Sequence, residues 1–70
     1  MKTWIKVERA RKNITQAELA KALDISVHAV NSIETEKYMP SIILATRMAK
    51  YFNVTVDYLF YFEEEKLYKK

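Results

Sequence analysis

The apolar residues between Gln16 and Thr35 follow a spacing that few folds accommodate. Counted from Gln16, five of them occupy the fourth, eighth, tenth, fifteenth and eighteenth places: Leu19, Leu23, Ile25, Val30 and Ile33. This order fits two short helices that are joined by a tight turn and cross steeply. The fifth place, at the closest approach of the helices, holds Ala20, whose side chain is small enough not to push them apart. The spacing therefore predicts two packed helices over residues 16–35.

The turn between these helices must form without glycine, because the chain contains none. Asp24 stands at the corner. Asp and Asn adopt the left-handed backbone conformation more readily than other residues that carry a side chain, so Asp24 can replace glycine there.

Capping residues and the hydrophobic period together predict five helices in all. TQAE, beginning at Thr15, is a capping box, and three further helices have hydroxyl N-caps at Ser26, Ser41 and Thr55. The first helix covers about residues 5–12, and the last covers the stretch VDYLF. Asn13 and Asn53 are suited to end the helices before them. The expected apolar positions of the fourth helix are Ile42, Leu44, Ala45, Met48, Ala49 and Phe52.

Length and composition describe one small domain, residues 1–70, with no linker. The chain has no cysteine, so helix packing without disulfides has to stabilise it. Its formal charge of +3 permits an anionic partner without requiring one. No apolar run approaches the roughly 20 residues that span a bilayer, and the N-terminus lacks a signal-peptide pattern. We therefore expect a cytoplasmic protein without a membrane partner.

The ordered motifs resemble those of the phage-repressor and Cro-like helix-turn-helix regulators. TQAELAKALDISVHAVNSIE is followed by EKYMPS and by LATRMAKYFNVTVDYLF, and the likeness runs from about residue 5 to residue 60. The resemblance implies an all-α, compact five-helix domain like that of lambda repressor, with the helix-turn-helix at about residues 16–35. In such domains the second helix of the motif, here residues 26–35, lies in the major groove of DNA.

The same resemblance assigns the DNA contacts residue by residue. The base-reading positions are Val27, His28, Asn31 and Ser32, and the phosphate-contacting positions are Gln16, Ser26, Thr35, Lys37 and Tyr38. Gln16 also has a physical reason for its role, because the free N–H groups and the positive dipole end of a helix start attract an anion. Each of these side chains could instead be an ordinary solvated surface residue.

Two further structural features follow from the resemblance. The family pairs an arginine of the first helix with the glutamate that ends the recognition helix, here Arg9 and Glu34. Relatives often have glycine where this chain has Asn13, Asp24 and Glu36. Glu36 is the least suited to replace it, so a positive φ there would store strain of order 1 kcal/mol, and Glu36→Gly should then stabilise the fold.

Aromatic residues are concentrated in the last third of the chain and favour a homodimer. A five-helix core cannot easily enclose them all, so we expect part of this surface to form a dimer interface, with the candidates Tyr58, Phe60, Tyr61 and Phe62. They could instead close the core over Trp4. MKTWI and LFYFE could also pair as short strands, whereas the tail, residues 61–70, fits a strand, a helix or a solvated end.

These observations favour a sequence-specific regulator of double-stranded DNA, most simply a repressor that binds a two-fold-related operator. Two alternatives stay open: an antitoxin-like or accessory regulator whose C-terminal tail binds another protein, and a helical interaction module without DNA binding. The sequence contains no nucleophile–base pair, metal-ligand cluster or Gly-rich phosphate loop, so we expect neither an enzyme, a metal site nor a cofactor.

Overall fold

The computed structural model describes residues 1–61; Phe62 and the rest of the predicted tail lie outside the described residues. The helices are α1 (Ile5–Lys12), α2 (Gln16–Leu23), α3 (Val27–Glu34), α4 (Ile42–Phe52) and α5 (Val56–Leu59), and the two-residue strands are β1 (Lys2–Thr3) and β2 (Phe60–Tyr61). The predicted five-helix architecture is confirmed. Within residues 1–61, no helix has the length and apolar character needed to cross a membrane.

Side-chain hydroxyls begin four of the helices, as the sequence predicts. Thr15 closes a capping box: its Oγ1 accepts from the backbone N–H of Glu18 at 3.0 Å, and the Glu18 carboxylate accepts from the N–H of Thr15 at 2.7 Å. Ser26, Ser41 and Thr55 each accept from the N–H three residues later. These bonds satisfy N–H groups that have no partner inside the helix, which fixes where each helix starts.

Four residues with side chains adopt the left-handed conformation in the turns of this glycine-free chain. The helices α1, α2 and α4 end at Asn13, Asp24 and Asn53, with φ of 56°, 58° and 58°. The fourth residue is Glu36, with φ of 66°, in the loop after α3. The expectation that Asn and Asp replace glycine at the corners is therefore confirmed.

The two ends of the described chain pair as a small antiparallel sheet. Lys2 lies opposite Tyr61 and Thr3 opposite Phe60, and the N–H of Trp4 donates to the carbonyl of Leu59 at 3.0 Å. The predicted terminal pairing is confirmed. Phe60, which the sequence placed at the end of the last helix, belongs to β2 instead, because this pairing takes over after one turn of α5.

The core joins all five helices through fully buried apolar residues. Those with no exposed surface are Ile5, Leu19, Val30, Ile33, Met48 and Leu59. Ala20 is 3% exposed, as expected for a small residue where α2 packs against α3. Ile42 differs from expectation, since it is 72% exposed and so is Ile43. Both lie in the first turn of α4, and consecutive residues of a helix cannot all face one core.

Candidate nucleic-acid interface

The outward face of α3 presents the four residues that were predicted to read bases. Val30 and Ile33 face the core and anchor the helix against α2. Val27 is 46% exposed, His28 and Asn31 are exposed, and Ser32 is half-buried. Because their spacing is i, i+1, i+4 and i+5, the four side chains share one side of the helix. The face combines one apolar side chain with three that can form hydrogen bonds.

The N-terminus of α3 is fixed by Ser26. Its Oγ accepts from the backbone N–H of Ala29 at 3.0 Å, which leaves the hydroxyl hydrogen for a second partner. Ser26 is exposed at the N-terminus of α3, where the positive end of the helix dipole lies. The geometry suits an anion at this point.

Arg9 and Glu34 form the ion pair that the resemblance implied. Nε and Nη2 of Arg9 donate to the two carboxylate oxygens of Glu34, and Nη1 of Arg9 donates to the carbonyl of Ile14 at 2.9 Å. The Glu34 side chain is only 4% exposed and that of Arg9 16%. The hydrogen bond to Glu34 raises the pKa of the Arg9 guanidinium. The pair connects the C-terminal end of α3 to α1.

Gln16 extends this pair toward the outward face. Its amide nitrogen donates to Oε1 of Glu34 at 3.1 Å and to Oδ1 of Asn31 at 3.2 Å. Gln16 was predicted to contact a phosphate, whereas here its amide group connects two residues of α3. This bond could not be predicted from residue spacing, because Gln16 and Asn31 are 15 positions apart.

The loop after α3 exposes the other predicted phosphate contacts, Thr35, Lys37 and Tyr38. Oγ1 of Thr35 donates back to the carbonyl of Asn31 at 2.8 Å. The backbone N–H groups of Lys37 and Tyr38 donate to the carbonyl of Ser32 at 2.9 and 3.3 Å. The loop is therefore folded back on the C-terminal end of α3, and Lys37 and Tyr38 are exposed there.

Glu36 ties this loop to the first strand, which sequence reasoning did not anticipate. Its Oε2 accepts from the backbone N–H of Thr3 at 3.2 Å, and its Oε1 lies 3.8 Å from Nζ of Lys2. The carboxylate at this strained position therefore has a structural partner, and Glu36→Gly would remove that contact while it relieved strain. The stabilisation expected of Glu36→Gly therefore stays a prediction, and its size depends on both effects.

The aromatic residues near the C-terminus pack around Trp4 and stay partly exposed. The Trp4 ring stacks on Tyr58 and Tyr61, with centroid distances of 6.3 and 5.9 Å, and Phe60 packs against the core. Trp4 remains 39% and Tyr58 38% exposed. These rings thus form a surface, which we call the aromatic face: Trp4, Tyr58 and Tyr61.

A buried carboxylate, that of Glu8, lies beneath the aromatic face, and the sequence pattern did not predict it. Glu8 is 8% exposed, and its Oε2 accepts from the hydroxyl of Tyr58 at 2.7 Å. Nε of Arg11 lies 3.6 Å from the same oxygen. This hydrogen bond, together with burial, raises the pKa of the Tyr58 hydroxyl. Because the buried residues of α1 are the apolar Ile5 and the polar Glu8, this helix has no regular apolar period in the sequence.

Comparison with known proteins matches this chain to one family. A family model described as helix-turn-helix matches residues 5–59. A protein of Archaeoglobus fulgidus, named an uncharacterized HTH-type transcriptional regulator, is 41% identical over 70 residues, covering 100% of this chain and 99% of its own length. A protein of Methanocaldococcus jannaschii with the same designation is 41% identical over 94% of this chain and its own full length. The Bacillus subtilis regulator YgzD is 34% identical over 93% of this chain and 98% of its own length.

Proposed function

The chain belongs to the helix-turn-helix family and is a DNA-binding transcriptional regulator; we propose that it is a repressor that binds a two-fold-related operator as a homodimer. Helix α3 enters the major groove, where its outward face meets base edges. Occupation of the operator is the simplest way in which so small a regulator acts, because bound protein excludes other proteins from the same DNA.

The single observation that carries this proposal is the outward face of α3. Val27 can pack on a thymine methyl group, while His28, Asn31 and Ser32 can form hydrogen bonds to base edges. The core residues Val30 and Ile33, both 0% exposed, and the Arg9–Glu34 pair hold the helix in place. A rigid helix with an exposed, hydrogen-bonding face is suited to read sequence.

Phosphate contacts flank this face on both sides. The free N–H groups at the start of α2, at Gln16, and at the start of α3, at Ser26, are suited to bind backbone phosphates. On the other side lie the exposed side chains of Thr35, Lys37 and Tyr38. Lys37 supplies the positive charge there, so binding should weaken as salt concentration rises.

The homodimer follows from the small size of one reading surface. A single recognition helix contacts few base pairs, so two copies are needed for a long enough site. We place the interface on the aromatic face, together with Phe60; the remaining candidate, Phe62, lies outside the described residues. Partly exposed, stacked rings are typical of protein interfaces. The two-fold axis then requires half-sites about 34 Å apart on one side of the duplex.

Selection of binding sequences from random duplexes tests the proposal. We expect an enriched palindrome with half-site centres about one helical turn apart. His28→Ala should relax the preference at a single position of each half-site, with a cost of about 1 to 3 kcal/mol for a true base contact. Lys37→Ala is the matched control, since loss of a phosphate contact weakens all sequences alike. Salt-sensitive binding without any enriched sequence would contradict the proposal.

Analytical ultracentrifugation tests the dimer separately. Tyr61→Ser should shift the protein toward monomer, while Ile43→Ser, at the 72% exposed start of α4, should leave the dimer intact. Circular dichroism of both variants checks that they remain folded. If Ile43→Ser gave a monomer and Tyr61→Ser did not, the proposed interface would be wrong and the dimer would form through α4.

A further inference from the structure

A network of four hydrogen-bonded side chains determines which atom of the Asn31 amide points outward from α3. It begins at Arg9, which can only donate hydrogen bonds, and passes to the carboxylate of Glu34, which can only accept them. Since Oε1 of Glu34 accepts, the atom of Gln16 that lies 3.1 Å from it must be the amide nitrogen. The buried ion pair thus fixes the orientation of the Gln16 amide. Without this partner, the amide could be turned either way.

The orientation of Asn31 follows from that of Gln16. The Gln16 nitrogen carries two hydrogens: one is donated to Glu34 and the other to Asn31, across 3.2 Å. The Asn31 atom that accepts must be its oxygen, Oδ1. Its amide nitrogen, with two hydrogens, therefore points away from Gln16 on the exposed side of α3.

We propose that Gln16 is a positioning residue for base recognition and that Asn31 presents a hydrogen-bond donor to the major groove. This inference rests on the proposed function, with α3 in the groove. In the major groove guanine offers N7 and O6 as acceptors, adenine N7 and thymine O4, whereas cytosine offers only the N4 donor. Asn31 then accepts guanine, adenine or thymine at its position and rejects cytosine. The phosphate contact at the start of α2 falls to the backbone N–H groups.

Reversing the polarity of residue 31 tests the assignment. Asn31→Asp keeps the size of the side chain and can still accept from Gln16, but it presents an acceptor to the groove. In selections from random duplexes, we expect the wild-type protein to exclude cytosine at one position of each half-site. Asn31→Asp should favour cytosine or adenine at that position, and its overall affinity should fall because the carboxylate repels phosphate.

Gln16→Ala tests the positioning role. Without Gln16 the Asn31 amide can rotate, so the base preference at the DNA position that Asn31 contacts should weaken by about two- to tenfold, the range for one hydrogen bond. The base preferences at all other DNA positions should be unchanged. Lys37→Ala is the control, because it should lower affinity for every duplex and leave the preference at this position unchanged. Thermal melts of each variant confirm folding, and if Gln16→Ala does not fold, Asn31→Asp decides alone.

The outcomes separate this inference from the function on which it rests. If Gln16→Ala weakens all duplexes equally and keeps every base preference, Gln16 contacts phosphate and the inference is overturned, while DNA recognition stands. If Asn31→Asp keeps the wild-type preference, the donor assignment is overturned. If the wild-type protein enriches no sequence, the proposed function fails first.

Discussion

Removal of the Glu34 carboxylate should be among the most damaging single changes outside the apolar core. In Glu34→Ala the guanidinium of Arg9 loses both bonds to the carboxylate and keeps only its bond to the carbonyl of Ile14. Gln16 loses its bond to Glu34 and keeps the one to Asn31. The affected groups are largely enclosed, since the Glu34 side chain is 4% and the Arg9 side chain 16% exposed.

The magnitude lies between two known limits. Breaking one partner of a fully buried pair costs about 3 to 5 kcal/mol, and breaking an exposed pair costs under about 1 kcal/mol. Arg9 keeps some access to water, so we expect a loss of about 2 to 3 kcal/mol in the free energy of unfolding. For a domain of this size, that corresponds to a fall in melting temperature of roughly 8 to 24 °C.

Thermal melts and urea titrations followed by circular dichroism measure this loss. Glu36→Ala is the control, because its carboxylate is 31% exposed, lies 3.8 Å from Lys2 and accepts an exposed hydrogen bond from the N–H of Thr3, so its loss should cost under about 1 kcal/mol. Arg9→Ala combined with Glu34→Ala should destabilise by less than the sum of the single changes. Equal, small losses for Glu34→Ala and Glu36→Ala would refute the reasoning.

Three further predictions concern packing, strain and pH. Ala20→Leu should destabilise by about 1 to 3 kcal/mol in urea titrations because Ala20 is 3% exposed at the helix crossing, while Ala22→Leu, on the exposed side of α2, should have little effect. Glu36→Gly should be more stable than Glu36→Ala by about 1 kcal/mol, because both lose the carboxylate but only glycine adopts φ of 66° without strain; equal melting temperatures would contradict it. The pKa of Tyr58 is raised in the folded protein above its ordinary value of about 10. The bond to Glu8 therefore stabilises the fold fully below pH of about 10, and this stabilisation is lost as pH rises through the raised pKa. The stability difference between wild type and Tyr58→Phe should therefore shrink in urea titrations above pH 10, and a difference that stays constant would count against the bond.

The sequence was sufficient for the starts of four helices because each of these starts has a local cause. Thr15, Ser26, Ser41 and Thr55 carry the hydroxyls that begin helices, and such bonds reach only three residues along the chain. The spacing around Ala20 was informative for the same reason, since two helices joined by a short turn can pack in few ways. Local chemistry thus determined the fold and the face that α3 turns outward.

The connections that the sequence did not disclose join residues far apart in the chain. Gln16 donates to Asn31, Glu36 accepts from Thr3, and Tyr58 donates to Glu8 across 50 positions. Such bonds depend on where whole helices lie relative to one another, which residue spacing does not specify. The Arg9–Glu34 pair was anticipated only through a family resemblance.

The most direct test of whether the outward face of α3 binds DNA is a ¹⁵N NMR titration of the protein with an enriched duplex. If α3 reads DNA, the largest amide shifts should occur at the starts of α2 and α3, along residues 27–32 and in the loop at residues 35–38. The titration should be repeated with a scrambled duplex, which should give smaller shifts in the same region at equal salt concentration. A saturated complex in which the amides of residues 27–32 do not shift would contradict the account.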